Sequence, residues 1–313
     1  MLNFIAKRLL MGVGLLFGVS SVTFLLIYSG GANIAEQVLG GDATPDAVAA
    51  TAQSLGLDRP LWEQYLSWLQ HAVVGDFGTS FYSSQPVLPT ILQRLSVTLS
   101  LVVVAIVMVA IISVTIGVLA AVKRGWVDSV LQFVSVIGLA LPSFWVALLL
   151  VLVFAITLRI MPATGFVPFN VAPGRWLVSV ILPVTALAIH GSSATAQQVR
   201  SAVITVLEQD YIRTLRARGL SNRRVLWGHV LRNAAPPALT VLSLQFISLV
   251  GGAVIIERVF AINGMGSLAV DATLRSDVPV VVGVMVIMTI VVVLVNLVID
   301  IVNGFINPKA RIS

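Results

Sequence analysis

Long apolar runs alternate with short polar connections along most of this chain. Because about 20 apolar residues cross the hydrocarbon core of a bilayer, the pattern predicts six transmembrane helices. Their approximate ranges are residues 9–28, 96–122, 127–157, 176–199, 239–260 and 279–302. The predicted fold is therefore an all-α polytopic membrane protein.

The connections divide this predicted fold into three parts. Residues 1–28 form an N-terminal tail and the first transmembrane helix, which we interpret as an uncleaved anchor. Residues 29–95 form a helical extracytoplasmic insertion between the first and second spans. Residues 96–313 form a five-helix core, which includes a cytoplasmic loop over residues 200–236 between the fourth and fifth spans.

Composition supports the membrane assignment. With 58% hydrophobic and 10% charged residues, the chain has too little polar surface to cover a soluble globule of 313 residues. The net charge of +6 lies in short connections beside apolar runs, where the positive-inside rule explains it, so nucleic-acid binding is not expected. The absence of cysteine excludes disulfides and thiolate metal sites.

Basic residues also predict the orientation. With both termini in the cytoplasm and the chain in the plasma membrane, 13 of the 19 basic residues lie on the cytoplasmic side. They are Lys7, Arg8, Lys123, Arg124, Arg200, Arg213, Arg216, Arg218, Arg223, Arg224, Arg232, Lys309 and Arg311.

The loop over residues 200–236 has the pattern of helix, glycine turn and helix. Val203, Leu207, Tyr211 and Leu215 recur every four residues and predict one apolar stripe on a short helix. Gly219 is expected to end that helix, Ser221 to cap the next, and Pro236-Pro237 to mark the boundary with the fifth span. We favour a docking role for this loop, although its arginines would also fix topology and contact anionic lipid headgroups.

The insertion over residues 29–95 has two helix starts, at Thr44-Pro45 and at Pro60. Tyr65 and Trp68 fall on one side of the second predicted helix. We expect a small helical cap over the outer mouth, which either receives substrate or acts only as a packing lid.

Several segments resemble one transporter family in the order that the family has them. They are Leu57-Asp-Arg-Pro-Leu61, Gln64-Tyr65, Gly75-Asp-Phe-Gly78, Gln85-Pro86, Leu141-Pro-Ser-Phe-Trp145, Arg159-Ile-Met-Pro-Ala-Thr-Gly165, the basic segment Glu208 to Leu220, Gly251-Gly-Ala-Val254 and Gly264-Met-Gly266. The chain resembles, over nearly its whole length, the first (B-type) permease subunit of ABC importers of the dipeptide, oligopeptide and nickel branch. The Glu-Ala-Ala triplet of permeases in general is replaced by Ile212-Arg213-Thr214, as is common in the peptide branch.

The resemblance implies an ATP-driven importer of di- or oligopeptides, in which this chain forms the translocation pathway. Nickel complexes, glutathione or another small solute are the alternative substrates. The implied partners are a second, related permease in a heterodimer, ATPase subunits that use ATP and Mg, an extracytoplasmic substrate-binding protein and the lipid bilayer. The coupling loop then contacts the ATPases through Tyr211, Arg213, Thr214, Arg216, Ala217 and Gly219.

Polar residues in the spans are candidates for the translocation pathway, because polar groups that face lipid are costly. The candidates are Ser143, Phe144, His190, Ser193, Gln197 and Gln245. We expect His190 to be a hydrogen-bonded packing residue, since no partner for a proton relay stands at helical spacing. Pro142 is expected to kink the third span. Glu257 and Arg258 are candidates for an outer gate, or they simply sit in interfacial water, which we favour slightly.

An enzyme is not indicated. The sequence has three histidines, none in a zinc-protease arrangement, and no glycine-rich phosphate loop followed by lysine. ATP hydrolysis is therefore expected in separate subunits, with no cofactor or metal bound by this chain. A six-span secondary transporter remains an alternative from another class, but it would need coupling charges inside the spans, and the sequence places almost none there.

Overall fold

The computed structural model describes residues 2–28, 31–40 and 43–306, and its regular structure in these ranges is helical. The helices are α1 (Leu2–Tyr28), α2 (Gly31–Leu39), α3 (Pro45–Ser54), α4 (Leu61–Val73), α5 (Val87–Lys123), α6 (Gly125–Ala140), α7 (Ser143–Leu150), α8 (Pro173–Leu207), α9 (Asp210–Ala217), α10 (Asn222–Val225), α11 (Leu231–Val259), α12 (Met265–Leu274) and α13 (Val278–Ile306). A π-helical segment, Val151–Thr157, continues α7, and another, Leu226–Val230, joins α10 to α11. The predicted all-α fold is confirmed. Lys309 and Arg311, counted above as cytoplasmic charges, lie outside the described residues.

Within the described residues, five helical stretches are long and apolar enough to cross a membrane. They are Ala6–Ile27, Val87–Lys123, Pro173–Leu207, Asn222–Val259 and Val278–Phe305. A sixth span results if Gly125–Ala140 and Ser143–Thr157, which meet at a bend of 96°, count as one broken span.

That bend corrects the prediction of a kinked third helix. Leu141 has an extended backbone (φ −81°, ψ 122°), as the ring of a following proline favours, and α6 ends before it. Pro142 then precedes α7, and its carbonyl accepts hydrogen bonds from the amides of Trp145 and Val146. Pro142 therefore separates two helices, where a kink within one helix was expected.

The opposite error concerns Pro236-Pro237, which were expected to mark a helix boundary. Both prolines lie inside α11, which runs on to Val259. Ala234 and Ala238, on either side of the pair, are buried. Membrane helices commonly accommodate proline in this way, because neighbouring helices and local adjustments satisfy the freed backbone groups.

The described chain separates into two compact units. One comprises the described residues up to 97 together with residues 263–294, and the other comprises residues 98–262 and 295–306. The three-part division from the sequence stays a prediction.

In the first unit, the cap helix α4 packs on α1 through an aromatic cluster. The Tyr65 hydroxyl is hydrogen-bonded to Ser20 at 2.9 Å and accepts from Ser21 at 3.0 Å. Its ring meets Phe24 edge to face and stacks on Trp68 at 6.2 Å. Tyr65 and Trp68 therefore serve packing. The predicted starts of α3, capped by Thr44, and of α4, after Pro60, are confirmed.

In the second unit, α8 occupies the centre and packs against α6, α7 and α11. Most of its middle is buried, from Ser179 to Val203. The neighbouring helices α5 and α6 approach α8 closely at glycines. A β-carbon on Gly117 of α5 would lie 2.7 Å from the Ala196 carbonyl oxygen, and one on Gly138 of α6 would overlap Ser193 Oγ.

An ion pair also fixes α6 to α8. Arg200 Nε donates to Asp128 Oδ1 at 2.6 Å, and Nη2 donates to Oδ2, so the contact is bidentate. Gln132, with its amide oxygen turned to Arg200, accepts at 3.0 to 3.1 Å. The side chains are only 26% and 17% exposed. Arg200, which the sequence suggested only as a topology signal, thus has a structural partner.

Breaking this pair is expected to destabilise the second unit. Removing one partner of a fully buried pair costs about 3–5 kcal/mol and of an exposed pair about 0–1 kcal/mol. For this partly exposed contact we expect a coupling energy of about 2 kcal/mol between Asp128→Asn and Arg200→Gln in a double-mutant cycle. Unfolding of the purified chain in detergent measures it. The exposed pair Arg213–Asp210 is the control, with no measurable coupling expected. Equal coupling in the two pairs would contradict a structural role for Arg200.

Candidate functional site

The basic segment after α8 begins with a break in the helix. The helix α8 continues to Leu207, Gln209 is extended (φ −69°, ψ 142°), and α9 begins at Asp210. The prediction of one short helix carrying Val203, Leu207, Tyr211 and Leu215 is therefore wrong, because the first two belong to α8. Tyr211 is 40% exposed.

The residue that anchors α9 is Ile212. It is 0% exposed and packs in one apolar cluster with Val203 of α8, Val225 of α10 and Val230 and Ala234 beyond it. Leu215 and Leu220 pack against the same cluster. Since α9 has only eight residues, which is too few for a stable isolated helix, this burial holds it in place.

The other face of α9 is open. The predicted coupling residues are all exposed, namely Tyr211, Arg213, Thr214, Arg216, Ala217 and Gly219. The Tyr211 hydroxyl accepts a hydrogen bond from Asn233 at 3.2 Å, and the Thr214 hydroxyl donates to the Asp210 carbonyl. Five of these six residues therefore lie on α9, and Gly219 lies in the turn that follows it.

The turn after α9 forms as the sequence predicts. Gly219 has φ +84°, a left-handed conformation that glycine adopts without strain. Its amide donates to the Arg216 carbonyl at 3.0 Å. Ser221 then caps α10 by accepting from the Arg224 amide at 3.4 Å. The geometry of α9 is therefore fixed at its buried face and at its C-terminal end.

The open face of α9 is basic and suited to a protein partner. Arg213 meets Asp210 at 3.6 Å, and both side chains are mostly exposed, so the guanidinium can still bind a partner. Among the residues that the structure describes, no group of three His, Cys, Asp or Glu side chains has the spacing of a metal site. The surface can dock another chain through charge and shape.

Two of the predicted pathway residues lie at contacts between helices. Ser193 is buried, donates to the Ile189 carbonyl at 2.9 Å, and lies where α6 approaches at Gly138. The Gln245 amide lies against Gly191, where an added β-carbon would be 2.7 Å from Nε2. These two side chains serve helix contacts in this conformation.

The remaining pathway candidates differ in exposure. Phe144 is 39% exposed, whereas Ser143 and Gln197 are half-buried. His190 was expected to be a hydrogen-bonded packing residue, and this is not met at Nδ1, which is buried without a hydrogen-bond partner among the described residues. The pathway assignment stays a prediction.

The two outer-gate candidates have different surroundings. Glu257 is 0% exposed and accepts a hydrogen bond from the Thr98 hydroxyl at 2.5 Å, whereas Arg258 is exposed. The idea that both charges simply sit in water is therefore wrong for Glu257, which lies on the buried face of α11 with Ala253 and Ile256. The gate role stays a prediction.

Sequence reasoning missed Ile212 as the anchor of the candidate site. Tyr211 and Ile212 stand four and three residues before Leu215, so helical periodicity admits either one on the apolar face. The stronger apolar character of isoleucine was the available signal. The prediction instead continued the four-residue repeat of Val203 and Leu207 to Tyr211, and so placed Tyr211 on the apolar face in place of Ile212.

Comparison with known proteins matches the chain along nearly its whole length. The family model described as "Binding-protein-dependent transport system inner membrane component" matches residues 113–312, and "Binding-prot-dependent transport system membrane comp, N-term" matches residues 1–102. A putative peptide transport system permease protein of Brucella abortus (strain 2308) is 38% identical over 308 residues, 98% of each chain. A probable peptide ABC transporter permease protein of Sinorhizobium fredii is 35% identical, covering 98% of this chain and 99% of its own length. A glutathione transport system permease protein of Escherichia coli (strain K12) is also 35% identical, over 99% of each chain.

Proposed function

This chain belongs to the family of binding-protein-dependent transport system inner membrane components, the permease components of ABC importers, and we propose that it carries short peptides across the plasma membrane. The names of its relatives support the substrate, since the Brucella and Sinorhizobium proteins are named as peptide permeases. Selectivity in such a system also depends on the separate binding protein.

Glutathione is the second candidate substrate. It is a tripeptide with a γ-linked glutamate, and the Escherichia coli relative that is 35% identical is named for its transport. Both candidates are small peptides with a free carboxylate, so they share much of their recognition chemistry.

The proposed assembly contains three kinds of partner. A second, related permease completes the membrane domain as a heterodimer, ATPase subunits bind ATP and Mg below it, and an extracytoplasmic binding protein delivers substrate. The excess of Lys and Arg in the connection between α8 and α11 favours a cytoplasmic position for α9 and for both termini.

The exposed basic face of α9 is the observation that carries the coupling proposal. Its buried side is fixed by Ile212, and its open side presents Arg213, Arg216 and neighbouring polar groups. Closure of the ATPases on nucleotide would move α9 as a rigid lever and, through α8 and α11, switch the bundle between inward and outward openings.

The test is purification of the tagged full chain with its co-purifying proteins, followed by reconstitution in liposomes. We expect a second permease and P-loop ATPases to co-purify, and we expect uptake of a labelled dipeptide that requires both ATP and the binding protein. Glutathione uptake is measured in parallel. Faster glutathione uptake would replace the peptide proposal, and uptake by the chain alone without ATP would overturn the importer assembly.

A further inference from the structure

A cleft of about 590 Å³ opens where several of the apolar spans begin or end. Its lining comes from the last turn of α5, the last residue of α8, the C-terminal part of α9 and the start of α10. The lining residues are Ala121, Val122, Arg124, Leu207, Arg216, Asn222, Arg223, Val225 and Leu226.

The position of the cleft matches a membrane surface. Two candidate spans end there, at Lys123 and Leu207, and a third begins at Asn222. Trp126 and Trp227, each within two residues of a lining residue in sequence, are 77% and 69% exposed. Exposed tryptophans beside the ends of apolar spans are typical of the layer of lipid headgroups.

The lining combines two kinds of side chain. Besides Asn222, it consists of the guanidinium groups of Arg124, Arg216 and Arg223 and of aliphatic side chains. Within the described part of the chain, Arg216 and Arg223 make no ion pair, and Arg124 meets only Glu208, at 3.6 Å with both side chains more than 60% exposed. Such a weak, hydrated contact leaves the guanidinium able to bind a phosphate.

Arg124 also has an unusual backbone. Its φ of 45° and ψ of −173° fall in a region that is open essentially to glycine alone, and the next residue, Gly125, has φ +62°. Arg124 thus reaches the lining of the cleft from a strained turn directly after α5. The strain supports the assignment only together with the cavity and its charges.

We propose that this cleft binds the headgroup of an anionic phospholipid, with the phosphate held by Arg124 and Arg223 and the upper acyl chain against Val122, Leu207 and Leu226, while Arg216 at its edge on α9 stays with the proposed ATPase contact. Charge complementarity selects an anion, and the aliphatic side chains select one with an attached apolar chain. An acidic loop of a water-soluble partner would leave the aliphatic side chains of the lining without an apolar contact. The site is independent of which solute the protein transports.

The test compares lipid retention by the purified full chain. The chain is placed in nanodiscs containing equal amounts of phosphatidylglycerol and phosphatidylcholine with identical acyl chains, then released into detergent, and retained lipids are counted by native mass spectrometry. We expect preferential retention of phosphatidylglycerol. Excess inorganic phosphate is expected to leave it bound, because free phosphate lacks the apolar contact.

Neighbouring residues provide matched controls. Arg223→Gln is expected to lower the phosphatidylglycerol to phosphatidylcholine ratio about fivefold, the factor that about 1 kcal/mol per basic side chain gives. Arg224→Gln, one residue further and outside the lining, is expected to leave the ratio unchanged. The pair Arg124→Gln and Lys123→Gln repeats this comparison at the other wall. Size-exclusion chromatography confirms that each variant remains folded.

Three outcomes would overturn the proposal. Equal losses in the lining and control variants would indicate general charge attraction without a site. Displacement by inorganic phosphate would show that the apolar wall contributes nothing. An unchanged lipid ratio combined with weaker co-purification of an ATPase would assign the cleft to a protein partner. None of these outcomes depends on transport activity.

Discussion

An Ile212→Asp variant is expected to lose uptake and substrate-stimulated ATP hydrolysis while still reaching the membrane in normal amounts. Ile212 is completely buried among Val203, Val225 and Val230. A carboxylate there would be unpaired in an apolar site, at a cost of several kcal/mol. The eight-residue helix α9 cannot offset that cost by itself, so it should detach from the apolar cluster that holds Ile212.

This effect is expected mainly on coupling. The spans are long and apolar enough to insert by themselves, whereas α9, if it is the proposed lever, cannot move α8 and α11 once it is detached from them. Measurement of uptake and ATPase activity in proteoliposomes, beside the amount of folded chain in the membrane, separates coupling from folding.

Two controls bracket the result. Ile212→Val removes one methylene and should cost about 0.5–1.5 kcal/mol, with transport largely retained. Gln209→Asp introduces the same carboxylate three residues earlier, at the exposed residue before α9, where an acidic side chain favours the helix start. Wild-type coupling in Ile212→Asp would show that α9 is not held by this contact and would remove the structural basis of the lever.

Most of the fold follows from patterns that the sequence carries locally. Apolar runs of sufficient length predict the spans, because the bilayer sets their length whatever their neighbours are. Thr44, Ser221 and Gly219 also act within one turn of their own positions, through caps and a left-handed backbone. Such features need no knowledge of tertiary structure.

The proline errors show where local reasoning ends. Pro142 and the pair Pro236-Pro237 impose similar local costs, yet the first separates two helices and the second lies inside one. Buried residues flank the proline in both cases, Gly138 and Val146 around Pro142 and Ala234 and Ala238 around the pair. Burial beside the proline therefore does not explain the difference, and neither does the local sequence.

The sequence predicted the exposed residues of the candidate site but did not reveal its buried ones. Arginines beside a membrane span stand out in a sequence with 10% charged residues, whereas one more isoleucine does not. The same holds for Glu257. Its charge suggested an exposed position, but the side chain is buried and accepts a hydrogen bond from the Thr98 hydroxyl. Partners distant in sequence decide the role of both.

A Gly117→Val variant is expected to be among the most destabilising single changes in the second unit. The β-carbon alone would lie 2.7 Å from the Ala196 carbonyl oxygen and 2.8 Å from Val199 Cβ. A backbone oxygen inside a helix cannot rotate away, so α5 and α8 must separate. Overpacking typically costs about 1–3 kcal/mol, and the two further methyl groups of valine should bring the loss to the upper end or beyond.

Gly251→Ala is the matched control, because Gly251 also lies inside a helix and has nothing within 4 Å of an added β-carbon. Alanine favours a helix over glycine by about 1 kcal/mol, so this variant should be neutral or slightly more stable. Gly117→Ala should be less stable despite the same intrinsic gain. The unfolding midpoints of the purified variants in detergent measure this difference in sign, and equal shifts would contradict close packing of α5 on α8.

The consequence of Gly117→Val should extend from stability to coupling. The helix α8 contacts α5 at Gly117, contacts α6 through Arg200 and Asp128, and ends immediately before α9. A displacement of α8 at Val199 therefore reaches the Val203 contact with Ile212 within one helical turn. If the folded fraction of Gly117→Val is rescued by low temperature, its uptake per folded chain should remain below that of Gly251→Ala. Equal uptake per folded chain would show that α8 transmits no motion to α9.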